Sequence, residues 1–342
     1  MTNKIVRWGF WISILCSLLL GVILFALCSG SVRIPVKRIM EVMLGAGSAT
    51  EYSILFDIRL PRIILAFAIG GALSVSGVIL QGVFRNPLVE PYTLGISGGA
   101  ALGVCLAIVL RLGCIIGVFS LPFFGFLGAG LIIVLVYSLS MKKNTLKVQG
   151  LLLTGVMISF VTSSLIMLIM AVSRAEDLHG IVFWIMGSLE EPSWFLIKLA
   201  VVVSIFGLFI SYLFCVSLNA FSLGEEEALH LGVNVERTKR LLFILASLLT
   251  GCSVAITGII GFVGLVIPHF TRMFAGEDHR ILLISSFLCG AGFLIFCDTL
   301  ARTIISPMEL PVGVITGILG GTLFVYTLNK RKSIPGGKWL SK

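Results

Sequence analysis

Apolar residues run along the chain in long uninterrupted blocks. Nine stretches hold no Asp, Glu, Lys or Arg: 8–32, 63–84, 91–110, 112–141, 148–173, 199–224, 241–271, 281–297 and 310–329. A bilayer core roughly 30 Å thick takes about 20 apolar residues of helix, so these stretches predict membrane-spanning helices. Membrane β-strands would be shorter and would alternate in polarity. Stretch 241–271 is long for one crossing and contains Gly258, Gly261, Gly264 and Pro268, which predict a full helix followed by a short returning one. Both ends are basic: Lys4 and Arg7 precede the first block, and Lys330, Arg331, Lys332, Lys338 and Lys342 follow the last. Basic flanks favour the cytoplasm, and two cytoplasmic ends require an even number of crossings. The expected fold is all-α, a polytopic membrane bundle of ten helices.

Composition supports lipid as the solvent. The 342 residues are 58% hydrophobic and 12% charged, with mean hydropathy +1.11; a soluble domain carries about 25% charged residues. The net charge of +9 would suggest nucleic acid in a soluble protein. Here the basic residues fall in gaps between apolar blocks, so topology explains them and no nucleic-acid partner is expected. Block 8–32 follows basic residues as a signal peptide would, and Ala26-Leu27-Cys28 is faintly lipoprotein-like. It is nevertheless long enough to span and lacks an A-x-A site, which predicts an uncleaved first helix. No linker or low-complexity tract divides the chain, so residues 1–342 are expected to form one domain. Cys16, Cys105, Cys215, Cys252, Cys289 and Cys297 lie inside apolar blocks without CxxC or Cys/His spacing; they predict packing residues, with no metal site and no cofactor. A P-loop and HExxH are absent, which removes P-loop nucleotide hydrolysis and zinc-protease chemistry of that type.

Four local features carry functional readings. Gly99 with Gly103, and Gly313 with Gly317 and Gly321, recur at spacing four, which lets helix backbones approach closely in lipid. The segment QGVFRNPLVEPY at 81–92 holds Pro87 and Pro91 between two spans and predicts a rigid non-helical turn at the cytoplasmic face, either plain or gating a pathway. The polar segment 219–240 is either a solvated loop or a docking surface; Ser222 and Glu225 have capping-box spacing and predict a helix from about Leu223, with Gly232 at its end. Arg59, Arg62 and Arg302 fall at expected outer ends of spans, where they either snorkel into water or bind acids of an external partner. Asp298, four residues before Arg302, suggests a local helix pair. His269 reads as structural rather than a ligand.

Six ordered blocks resemble the FecCD family of ABC import permeases, which serve iron–siderophore, haem and vitamin B12 uptake: RLPR at 59–62, QGVFRNPLVEPYTLGISGGAALG at 81–103, WIMGSL at 184–189, LGEEEALHLGV at 223–233, GIIGFVGLVIPHFTR at 258–272 and ELPVGVITGILGG at 309–321. The resemblance implies a type II importer permease in a bacterial or archaeal cytoplasmic membrane, surrounded by lipid. It implies a second permease subunit in a homodimer, two cytoplasmic ATPase subunits and an extracytoplasmic substrate-binding protein. It further implies ATPase coupling through Leu223, Gly224, Glu225, Glu226, Glu227, Ala228, Leu231 and Gly232. Docking of the binding protein is implied at Arg59, Arg62 and Arg302. A cytoplasmic gate is implied at Asn86, Pro87 and Leu88, with a second gate loop near Lys142, Lys143 and Asn144. The rival class is an ion-coupled secondary transporter, which would need ionisable groups near mid-membrane.

Overall fold

The computed structural model describes residues 2–45, 47–113, 117–142, 145–146, 148–191 and 193–332. In chain order the helices are α1 (Thr2–Cys28), α2 (Val36–Met43), α3 (Ala49–Ser53), α4 (Leu60–Val83), α5 (Ile96–Val109), α6 (Ser120–Ser140), α7 (Val148–Val172), α8 (Ala175–Met186), α9 (Trp194–Leu213), α10 (Cys215–Leu223), α11 (Glu225–His230), α12 (Val235–Thr257), α13 (Val263–Ala275), α14 (His279–Thr303) and α15 (Val312–Lys332). A π-helical turn, Ile54–Arg59, joins α3 to α4. The strand content among the described residues is one antiparallel pair, Met141–Lys142 with Thr145–Leu146. Helix dominates because every backbone N–H and C=O inside a bilayer must find a partner within the protein.

Seven helical segments are long and apolar enough to cross a membrane: Val6–Cys28, Ala49–Val83, Gly117–Ser140, Val148–Val172, Trp194–Leu213, Val235–Thr257 and His279–Thr303. Shorter apolar helices lie at Ile96–Val109, Val263–Ala275 and Val312–Tyr326. The long block 241–271 does break, between Gly258 (φ +70°) and Phe262 (φ +68°). Two blocks have different limits from those expected. The block 199–224 contains a helix that starts at Trp194, ends at Leu213 and gives way to the separate α10. Helix α14 extends past its charge-free core to His279 and Thr303, because Asp298 and Arg302 are accommodated as a pair inside it.

Helix α4 is the axis of the bundle. Twenty-one of its side-chain positions from Pro61 to Val83 are buried, and it packs against α14, α9, α12 and α13. Small residues make this possible. A Cβ added at Gly77 would collide with the Gly264 carbonyl, and one at Gly70 with the Gly290 carbonyl. Helices α1, α6 and α7 expose most of their apolar side chains, as segments facing lipid or another subunit do. Of the glycine pairs at spacing four, Gly99 and Gly103 meet Gly128 and Phe124 of α6, so they are packing positions. Gly313 meets the Met186 and Ile259 carbonyls, whereas the space around Gly317 is open within this chain.

Candidate functional site

The features singled out in the sequence gather at the two ends of α4 and on the α10–α12 elbow. At the Gln81 end, the chain leaves α4 through Phe84 and Arg85 (φ +50°). Asn86 then shapes a tight turn: its Oδ1 accepts from the Leu88 amide at 2.9 Å, as asparagine does in turns. Pro87 and Leu88 are exposed while Val89 is buried. So Asn86, Pro87 and Leu88 form an exposed non-helical turn, and a 3-10 turn follows at Pro91–Leu94.

That turn is fastened to the break between α12 and α13. The Phe262 amide donates to Glu90 Oε1 at 2.6 Å. Tyr92 Oη donates to the Ile260 carbonyl at 2.8 Å and accepts from the Ile260 amide at 3.2 Å. Gln81 Nε2 donates to the Gly264 and Leu265 carbonyls, each at 3.3 Å, and Gln81 Oε1 accepts from Arg272. A broken helix leaves unpaired amides and carbonyls, and these three side chains supply partners for them. Burial pushes the Glu90 carboxyl above its ordinary range, against the Phe262 bond that favours the charged form. Nothing near Glu90 in the sequence discloses this role, because its partner lies 172 residues away.

The Arg62 end is held by charge. Arg62 Nη1 pairs with Glu309 Oε2 at 2.7 Å and Nη2 with Glu190 Oε2 at 3.3 Å. Arg302 Nε pairs with Asp298 at 2.9 Å, as its spacing suggested. Arg59 donates to the carbonyls of Leu27 and Val32. The three arginines are 2%, 7% and 5% exposed for Arg59, Arg62 and Arg302. The snorkelling reading is therefore corrected: each is buried and already paired within its own chain rather than reaching into water. The reason is that a guanidinium at a span end satisfies itself on nearby carboxylates and carbonyls more cheaply than by reaching water through packed helices. Beside them lies a cavity of about 20 Å³, lined by Arg62, Ser188, Asp298, Arg302 and Glu309, with room for about one water.

On the elbow, the capping box expected from Ser222 and Glu225 does not form. Ser222 Oγ donates to the Leu218 carbonyl inside α10, and Gly224 (φ +141°) stands at the start of α11 without a side-chain cap. Glu225 instead pairs with Lys239 at 2.8 Å, and Glu236 joins at 3.2 Å; the Lys239 side chain is 3% exposed. The Glu227 carboxylate folds back over Gly224. Ala228 is buried, while Leu223, Leu229 and Leu231 are exposed. The helix ends at His230, and Gly232 (φ +82°) makes the turn into α12, whose start Asn234 caps by accepting from the Arg237 amide. All three consecutive acids are exposed, and Glu226 forms no ion pair among the described residues. The second gate loop falls partly outside the described residues, since Lys143 and Asn144 are not among them.

Among the described residues no three His, Cys, Asp or Glu come together as a metal site would need. His269 packs its ring against Phe324, centroids 5.8 Å apart.

Known proteins share this architecture. The hemin transport system permease HmuU of Yersinia pestis is 40% identical over 288 residues, covering 84% of this chain and 86% of that protein. The cobalamin import system permease BtuC of Halobacterium salinarum is 39% identical over 287 residues, covering 83% and 75%. A solved ABC transporter assigned to the metal-chelate type, in an inward-facing conformation, superposes with a TM-score of 0.84 at 34% identity and covers 93% of this chain and 98% of that one. The model of the FecCD transport family matches residues 18–330, and with it the chain belongs to that family, as a multi-pass membrane permease of an ABC importer.

Proposed function

We propose that the chain carries a metal chelate across the cytoplasmic membrane, an iron–siderophore complex first, with haem or a cobalamin as the related cargoes. Support comes from the relatives, whose names give hemin and cobalamin at nearly equal identity. In this reading the seven long and three shorter apolar helices make ten crossings. The elbow and the Asn86–Leu88 turn then face the cytoplasm, and the Arg62 end faces outward. A second copy completes the pathway, with the open face of α15 at Gly317 available for close approach. The chain supplies no engine, so two ATPase subunits drive it from the cytoplasm and a binding protein delivers cargo from outside.

The observation that carries the coupling role is the buried Lys239 clamp. It ties α11 rigidly to the long helix α12, so a push on the exposed face of α11 is transmitted into the bundle. Glu226, Leu229 and Leu231 offer that face, in the short helix bounded by Gly224 and Gly232. Docking at the other end centres on Arg62. Its partners Glu190 and Glu309 are 77% and 47% exposed, so an incoming carboxylate can displace them, while Arg59 holds the Leu27 and Val32 carbonyls and Arg302 holds Asp298. The turn Asn86–Leu88 is the inner gate. An ion-coupled mechanism has less support. The buried Asp, Glu, Lys and Arg side chains of the described spans sit in the first or last two turns of their helices, not at mid-span.

Reconstitution tests this. Liposomes with the chain alone should show no gradient-driven uptake, and uptake should appear with the ATPase and binding-protein genes co-expressed. Glu226→Ala should weaken recovery of the ATPase by at least severalfold. Uptake by the isolated chain would overturn the reading.

A further inference from the structure

Helix α2 divides its surface into three sectors, where an ordinary surface helix has two. With 3.6 residues per turn, Ile39 and Val42 share one side and are buried with Ile34 and Leu55 against the end of α1. Lys37, Arg38 and Glu41 take a second, polar side, where Arg38 pairs with Glu41 at 2.8 Å and with Glu51 at 2.7 Å. Val36, Met40, Met43 and Leu44 form the third, and they are 49%, 59%, 69% and 84% exposed. A helix lying between protein and water needs one apolar and one polar face. Here the apolar arc runs on past the buried side, and its uncovered part calls for a third medium.

We propose that α2 is an in-plane anchor, with Val36, Met40, Met43 and Leu44 set into the boundary between lipid headgroups and acyl chains. Continuity favours lipid as the occupant. The chain passes from the end of α1 into this segment with the Ile34 amide donating to the Cys28 carbonyl at 3.1 Å. The last turns of α1 leave Leu24 and Phe25 exposed too, so apolar surface continues from the span onto α2. Charge favours it as well. Arg38 is neutralised within the chain, whereas Arg33 and Lys37 are exposed and form no ion pair among the described residues, which suits lipid phosphates. Tyr52 stacks on Phe56 with centroids 4.5 Å apart and stays half-exposed, an aromatic placement typical of the interface. Because Arg59 donates to the Val32 carbonyl just before α2, such an anchor would fix the depth of the Arg62 end of α4. The inference rests on α1 spanning the membrane and is independent of ATPase coupling and cargo.

The test is photolabelling of the full chain in nanodiscs of phosphatidylcholine and phosphatidylglycerol, doped with a phospholipid carrying a diazirine near the carbonyl end of one acyl chain. Adducts mapped by mass spectrometry should appear on Met40, Met43 and Leu44 and be at least fivefold rarer on Lys37 and Glu41. Leu44→Asp should lower labelling of the 36–44 peptide severalfold while leaving labelling of Leu18 and Leu20 on α1 unchanged, which also reports that the variant is folded. Labelled α1 with an unlabelled 36–44 peptide would overturn the proposal. So would chemical crosslinks joining the 36–44 peptides of two copies, because a second chain would then occupy the face.

Discussion

The two ends of α4 solve the same problem with opposite chemistry. At each end polar groups lie inside packed protein and must be satisfied, although only at the Gln81 end does the helix stop. The Arg62 end does it with charge, through the Arg62–Glu309, Arg62–Glu190 and Arg302–Asp298 pairs. The Gln81 end does it mainly with uncharged donors and acceptors aimed at backbone, through Gln81 and Tyr92, plus the single carboxylate of Glu90. Ion pairs can exchange partners, and two of the carboxylates at the Arg62 end are largely open to solvent. Side-chain bonds to a particular amide or carbonyl cannot exchange without moving that backbone. The ion pairs of one end can therefore be exchanged in place, whereas the bonds of the other tie it to the α12–α13 break.

Removing charge should produce the largest effect. Arg302→Ala strands the buried Asp298 carboxylate and should cost about 3–5 kcal/mol, read as a fall in thermal midpoint of the detergent-solubilised protein. The paired change Asp298→Leu with Arg302→Met should recover most of that loss, because a buried ion pair replaced by packed apolar groups is often near neutral. If the double variant is as unstable as the single one, the pair is not the source.

At the Gln81 end the losses should be smaller. Glu90→Ala leaves the Phe262 amide without its acceptor and should cost about 1–3 kcal/mol, and Tyr92→Phe about 1–2 kcal/mol. Glu90→Gln keeps an acceptor oxygen and should be close to neutral. Cysteine placed at Leu88 should label faster in the Glu90→Ala background than in Glu90→Gln; equal rates would separate the turn from the break.

The pH response sharpens the contrast. Burial raises the Glu90 carboxyl above its ordinary value of 4.5. A raised acid favours the proton in the folded state, so its stabilising contribution is fully present below about 4.5 and is lost as pH rises through the higher folded-state value. Glu90→Gln should flatten that part of the profile, measured as thermal midpoint against pH. Asp278, at the start of α14, should behave oppositely. Burial acts to raise it, but bonds from Asn219, the Arg280 amide and Lys4 outweigh that and hold it below its ordinary range. Its contribution is present at neutral pH and lost as pH falls below about 4. Lys4 is 56% exposed, so Asp278→Asn should cost no more than about 1 kcal/mol.

Much of the fold was legible because lipid imposes a length and a composition on every crossing. The break at 258–262 was legible too, through Gly258 and Gly261, whereas Gly264 and Pro268 lie inside α13. What stayed hidden were the short helices α2, α3 and α8, whose apolar content is diluted by charge. Arg59, Arg62 and Arg302 were correctly singled out as unusual, but their burial was not foreseeable, because Glu190, Glu309 and the Leu27 and Val32 carbonyls are distant in sequence.

One spacing shows where the division falls. Ser-x-x-Glu occurs at Ser48–Glu51 and at Ser222–Glu225. At the first site Ser48 is extended (ψ 153°), its side chain accepts from the Glu51 amide and Glu51 returns the bond, so the capping box is complete. At the second, Ser222 is already inside α10 and Glu225 is taken by Lys239. Apolar length, charge and glycine were enough to establish the solvent, the helical class and the place of the break. Tertiary structure alone decided which partner each polar side chain takes, because that choice is a competition between a local bond and a distant one brought near only by packing.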